Sequence, residues 1–339
     1  MSKFITVFSL LMLAINVNVH AAFWDKGHDD DIESQWISDT LHHDDLTRHY
    51  RYLLPVTSGN EKNKLPVVIL LHGGTRSMNV VFNKHSGASR YWPILANKEH
   101  FILVAPNGVN VKNGNTSGNK QNWNDCRDKV KGTNSDTSAD DVGFINNLID
   151  KLSKELPVDM RRIYISGASN GGMMTYRVST ELSHKVAAAA VFIANEPNGK
   201  ECNLQKDVRP VPLLIMNGTK DKLIPWHGGD APGKTGQLYS TSETLKIWAK
   251  RNHIDLDTKT VSYIKDSNKK DGTTVEHITF KKGKDSTDLQ LVKIVGGGHN
   301  VPSDLYSIPK VLEWTLLGKQ NRDINGVKLA WDFLKSHSM

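Results

Sequence analysis

Residues 161–172 read Arg161-Arg162-Ile163-Tyr164-Ile165-Ser166-Gly167-Ala168-Ser169-Asn170-Gly171-Gly172, an apolar, β-branched run that breaks off at Gly167 and then takes on helical character. A strand that reverses into a helix within so few residues strains the backbone at its tip and brings neighbouring chain close, so the flanking positions must be small. Gly167 and Gly171 meet that need around Ser169. The pattern is a nucleophile elbow with Ser169 at its tip, and its weight comes from what surrounds it. Gly87-Ala88-Ser89 repeats its first half but lacks the second glycine and a preceding buried strand.

The neighbouring segments supply the context. Residues 65–71 and 101–105 are continuous apolar runs, as a strand buried on both faces requires, while residues 48–54 alternate in the manner of an edge strand. Val142, Ile145, Leu148, Ile149, Leu152 and Leu156 recur at helical spacing, and Pro157 closes that helix. After the elbow the spacing predicts a helix over 172–182, strands over 186–194 and 211–216, and a helix over 241–251. A Lys-rich hairpin, a strand over 289–295 and a last helix over 327–336 complete the chain. Alternating β and α elements give an α/β fold, a mostly parallel sheet with helices on both faces. No long linker and no internal repeat divides it, so a single domain is expected.

Met1-Ser2-Lys3, the apolar stretch over 4–17 and Val19-His20-Ala21-Ala22 follow the order of a secretory leader. Its apolar part, about fourteen residues, falls short of the ~20 that span a bilayer core. Residues 1–22 are therefore read as a signal peptide, 23–46 as a polar N-terminal segment and 47–339 as the α/β domain. The mature protein is expected to be secreted or periplasmic, without stable membrane insertion. His28-Asp29-Asp30-Asp31 and His42-His43-Asp44-Asp45 suit a surface segment, because adjacent histidines on an extended chain point to opposite sides; no metal is expected there.

In an oxidising compartment Cys126 and Cys202 can pair, and a disulfide is favoured over a catalytic thiol because neither sits in a strand-to-helix turn. The formal net charge of +7 comes from scattered lysines, concentrated around Lys269-Lys270-Asp271-Gly272 and Lys281-Lys282-Gly283-Lys284, which read as solvated hairpin turns. A nucleic-acid surface would want a basic helix or interleaved aromatic residues, and neither is visible. Attraction to anionic polymers or surfaces stays open.

A serine hydroxyl needs a base to take its proton and a carboxylate to hold that base in the right tautomer. In the α/β-hydrolase arrangement the order along the chain is Ser, then Asp or Glu, then His. Asp221, in the loop after the strand ending Asn217-Gly218, is the candidate acid, and His299, after Gly296-Gly297-Gly298, is the candidate base. Asp230 is a second choice. Asp140 and Asp141 precede the serine and open a helix, where carboxylates serve the helix dipole. For the oxyanion, Leu71-His72-Gly73-Gly74-Thr75 offers a backbone N–H from Gly74 or Thr75, and Asn170 offers the other; His72 has a structural role beside them. Trp123, Trp226 and Trp314 are candidates for substrate contact as well as for core packing. No cofactor is expected.

The motifs His72-Gly73-Gly74, Gly167-Ala168-Ser169-Asn170-Gly171-Gly172, Asp221 with Ile224-Pro225-Trp226-His227-Gly228-Gly229, and Gly297-Gly298-His299 together resemble the secreted polyhydroxybutyrate depolymerase and feruloyl esterase group. The resemblance runs over nearly all of residues 23–339, including Asp140-Asp141-Val142-Gly143-Phe144 and the terminal Trp331-Asp332-Phe333. It implies an α/β-hydrolase that cleaves carboxylic esters of an ester-bearing polymer or oligomer, with Ser169, Asp221 and His299 as the triad and a bridge between Cys126 and Cys202. Where many relatives carry Trp-Pro-Gly after the histidine, this chain has Asn300-Val301-Pro302-Ser303, which leaves the acyl group open. A catalytically silent binding protein and a serine peptidase are the alternatives.

Overall fold

The computed structural model describes residues 36–56, 63–81, 87–133, 135–199, 202, 208–231 and 233–339. The expected leader, residues 1–22, and the first part of the expected polar segment lie outside the described residues.

Strands buried on both faces need cover on both sides, and six strands, four of them buried throughout, form the parallel centre of a ten-stranded sheet. In chain order the strands are β1 (Trp36–His43), β2 (Leu46–Leu53), β3 (Leu65–Leu71), β4 (Ile102–Pro106), β5 (Val158–Ala168), β6 (Ala188–Phe192) and β7 (Leu213–Gly218). A two-stranded ribbon, β8 (Gly229–Asp230) with β9 (Gln237–Leu238), precedes β10 (Thr260–Ile264), β11 (Thr274–Thr279) and β12 (Leu289–Val295). Across the large sheet the order is β1-β2-β4-β3-β5-β6-β7-β12-β11-β10. The strands from β4 to β12 in that order run parallel, and two antiparallel strands flank them on each side.

Parallel neighbours need crossovers, and the apolar stripes of the helices decide which face each one covers. Helices α2 (Asp141–Glu155), α3 (Asn170–Glu181) and α4 (Thr241–Arg251) pack on one face, against Val67, Ile69, Ile165, Val191 and Ile215. Helices α1 (Tyr91–Glu99) and α5 (Gly326–Lys335) cover the other, against Val68, Leu70, Leu103, Ala190 and Met216. The alternation of these residues along single strands is the two-residue period of a pleated strand. Side chains start the helices: Asp140 accepts from the Gly143 N–H at 2.9 Å, and Ser240 with Glu243 forms a capping box.

The strand expected at the edge, residues 48–54, is second in the order. Trp36–His43, within the polar segment, pairs antiparallel with it and forms the edge. Arg48 is buried, donating to Asp141 at 2.5 Å and lying over the Phe144 ring. The Lys-rich turn over 265–273 joins β10 to β11, and α3 starts at Asn170, two residues ahead of the expected start. No described helix is long and apolar enough to cross a membrane.

Candidate functional site

The end of β5 is where the sequence demands glycine, and the packing there shows why. Ser169 sits at φ 57, a backbone region that side chains other than glycine enter at a cost, and its N–H donates to Phe192 O at 3.0 Å. A Cβ on Gly167 would come within 2.4 Å of Gly171 O, and one on Gly171 within 2.2 Å of Leu71 O. The first turn of α3 therefore lies against the ends of β5 and β3, and Ser169 is left half-buried at the rim.

Two strands over from β5, the loop after β7 carries Asp221, and next to it the loop after β12 carries His299. All three parallel strands end at the same rim. Asp221 Oδ2 accepts from His299 Nδ1 at 2.7 Å, and its Oδ1 accepts from the Leu223 and Ile224 N–H groups at 2.7 and 2.8 Å. Both side chains are buried. The carboxylate thus places the imidazole proton on Nδ1 and leaves Nε2 as the basic nitrogen. Among the described residues no hydrogen bond joins Ser169 Oγ to His299; such contacts often tighten only when substrate is bound. The loop that carries His299 is pinned by its N–H to Leu317 O at 2.5 Å and by Gly298 N–H to Lys319 O at 2.8 Å.

Buried amides that the sequence did not single out brace the Asp221 loop. Asn217, on β7, donates to Asn195 Oδ1 at 2.9 Å, and Asn195 in turn donates to Pro225 O at 2.9 Å.

The loop after β3 lies beside the serine: a Cβ on Gly73 would stand 3.7 Å from Ser169 Cβ. His72 is buried, with Nδ1 donating to Gly73 O at 2.8 Å and Nε2 accepting from the Gly108 N–H at 3.1 Å. Burial pushes its pKa down to about 4, so at neutral pH it is an uncharged strut. The Gly74 N–H has no hydrogen-bond partner among the described residues. The Thr75 N–H is taken by Asn122 Oδ1 at 3.0 Å, which corrects its standing as an alternative donor. At the start of α3 the Asn170 side chain is locked: Oδ1 accepts from the Trp123 N–H at 2.9 Å, and Nδ2 donates to Asp125 Oδ2 at 2.6 Å. Arg127 forms an ion pair with Asp125 at 3.0 Å.

Trp123 does not face substrate. It is fully buried, donates from Nε1 to His72 O at 2.9 Å and packs on the His72 ring at 4.8 Å. Trp226 is half-buried and packs on the core, whereas Trp314 is 75% exposed. Asp140 caps α2, Asp141 pairs with Arg48, and Asp230 lies exposed on β8. A disulfide joins Cys126 to Cys202, with Cα atoms 5.6 Å apart. Glu181 stands beside its sulfurs; bonded to each other, these are not the thiolate ligands a metal would take.

A sheet of this order, with its serine turn between β5 and α3, is the α/β-hydrolase fold. An acetyl xylan esterase from Aspergillus awamori superposes with a TM-score of 0.52 at 16% identity, covering 82% of this chain and 98% of that one. A thermostable esterase superposes with a TM-score of 0.50 at 15% identity, covering 91% and 64%. Residues 54–265 match the phospholipase/carboxylesterase family, and the chain belongs to it. Feruloyl esterase B of Piromyces equi is 32% identical over 210 residues, 60% of this chain and 32% of that protein. A bifunctional acetylxylan esterase/xylanase of Neocallimastix patriciarum is 29% identical over 159 residues, 47% and 20% respectively. The chain therefore spans a third or less of the length of these two relatives.

Proposed function

We propose that this protein is a serine esterase that hydrolyses carboxylic esters borne by a polymer or oligomer, of the feruloyl or acetyl polysaccharide type. The hydrogen bond from His299 Nδ1 to Asp221, at the rim where Ser169 is held in its strained turn, carries the reading. Ser169 Oγ attacks the ester carbonyl while His299 Nε2 takes its proton, and the N–H groups of Gly74 and Asn170 receive the oxyanion. Collapse of the tetrahedral adduct expels the alcohol, which takes the proton from His299 and leaves an acyl-Ser169. Water, deprotonated by His299, then releases the acid and restores the serine.

The names of the relatives support feruloyl and acetyl groups as the acyl classes to test first, with hydroxybutyrate oligomers as a third. The leader pattern and the disulfide support export, to a periplasm or beyond the cell. Ser169→Ala is expected to lower kcat on a p-nitrophenyl acyl ester by up to about 10⁶ and to abolish labelling by a fluorophosphonate probe, with the melting curve unchanged. An unlabelled parent protein would favour a silent binding module. Turnover of peptides above esters would favour a peptidase.

A further inference from the structure

The rim beside His299 carries positive charge for which the ester chemistry has no use. Lys220 and Lys222 flank Asp221, Lys265, Lys269 and Lys270 rise on the β10–β11 turn, and Lys319 follows the segment that pins the His299 loop; all six are exposed. These segments are physically joined. The Lys220 N–H donates to Gly297 O at 2.8 Å, the Gly298 N–H to Lys319 O at 2.8 Å, and Lys319 Nζ to Gly272 O at 3.2 Å. None of the six lysines pairs with a carboxylate among the described residues.

The acids of the lysine-bearing segments face inward, and on the His299 loop Asp304 alone is exposed against the six lysines. Asp221 holds His299, and Asp271 accepts from the Thr273 and Arg322 N–H groups at 2.7 and 2.8 Å. Asp323 accepts from the Ser267 and Asn268 N–H groups at 2.8 Å each, and Asp266 is half-buried. The ammonium groups are left as the charges a ligand meets first. An exposed ring stands on the same rim: Trp314, 75% exposed, lies one helical turn before Leu317, whose carbonyl accepts the His299 N–H.

We infer that this rim selects polysaccharide esters that carry carboxylates, taking sugar-ring faces on Trp314 and uronate groups over the lysines. This rests on the esterase reading above. A neutral polyester or neutral xylan gains nothing from such a collar, whereas a uronate chain is steered to it, by 10-fold or more in favourable cases. Amphipathic rings such as indole supply apolar area while leaving one edge wet, which suits the ring faces of sugars.

The test compares acetylated oligogalacturonides with acetylated xylo-oligosaccharides, acyl group held constant, at about 0.01 M and about 1 M ionic strength, where the Debye length falls from about 30 to about 3 Å. For the charged substrate, kcat/KM is expected to exceed that for the neutral one at low salt and to lose about tenfold at high salt. In Lys269→Gln/Lys270→Gln that preference shrinks, and Trp314→Ala raises KM for both saccharides. Equal turnover of the two substrates, or equal salt dependence, overturns the inference and leaves the esterase reading standing. No turnover of either, nor of p-nitrophenyl acetate, counts against the esterase reading. Binding of unesterified oligosaccharides to Ser169→Ala protein then still reads the rim: tighter binding of the galacturonide supports it, and equal binding overturns it. Tighter salt-sensitive binding to anionic lipid vesicles or duplex DNA than to the galacturonide also overturns it.

Discussion

The Gly73 carbonyl shares a peptide plane with the Gly74 N–H, so whatever grips one aims the other. His72 Nδ1 grips that carbonyl, while its Nε2 is held by the Gly108 N–H. His72→Phe removes the grip and leaves a buried N–H unpaired. On the proposed mechanism kcat on a p-nitrophenyl ester is expected to fall by about 10² to 10³, as for loss of an oxyanion donor, with KM little changed. Steady-state kinetics check this, and loss confined to KM would show that His72 does not aim the donor. The same residue sets an acid limit on stability. Its folded pKa, about 4, lies below the ordinary value of 6.5, because burial disfavours the charged ring. Its contribution is therefore complete above pH 6.5 and is lost as pH falls towards 4, by about 3 kcal/mol. Urea unfolding of the parent and His72→Gln across that window should show the steeper slope in the parent, since half-buried His337, whose pKa is also lowered, contributes to both.

At the scale of elements, two glycines of similar sequence context are predicted to behave oppositely. A methyl on Gly171 would meet the backbone carbonyls of Leu71 and His72 at 2.2 and 2.5 Å, and neither strand end nor helix can yield. On Gly73 the nearest contacts, at 3.5 and 3.7 Å, are ordinary. Gly171→Ala should cost about 1–3 kcal/mol or more, and Gly73→Ala should melt near the parent temperature, by calorimetry. The contrast marks what local chemistry can announce. The elbow was readable because its demand for small residues falls on adjacent positions, and the central strands because burial on both faces leaves unbroken apolar runs. β1 was not readable: its exposed face is Ser38, Thr40 and His42, and only pairing with β2 makes it a strand. Asn195, Asn217 and Asp125 were missed because their partners are remote in sequence, Asp125 meeting Asn170 from 45 positions away. The sequence leaves Trp123 open between substrate contact and core packing because ring chemistry suits a binding face and a buried post equally. Asp221 and His299 could be read because each follows directly on an apolar strand that ends at the rim.

Over the whole molecule, the disulfide joins the long loop before α2 to the connection between β6 and β7. Cys126 sits between Asp125 and Arg127, the pair that locks the Asn170 side chain, and its carbonyl lies so close to Gly199 that a Cβ there would come within 1.8 Å. The bond therefore has two separable effects. It shortens the unfolded chain across 76 residues, which in the chain-entropy model stabilises by at most about 4–5 kcal/mol. It also holds the loop that presents Asp125 to Asn170. Cys126→Ser/Cys202→Ser should thus lower the melting temperature, and should also lower kcat at temperatures where calorimetry shows the variant fully folded. A melting shift with kcat intact would mean that the bond acts on the unfolded chain alone, with the Asp125–Asn170 lock surviving on its own hydrogen bonds. Loss of kcat in the folded variant, with KM little changed, would tie the bond to the donor geometry at the start of α3.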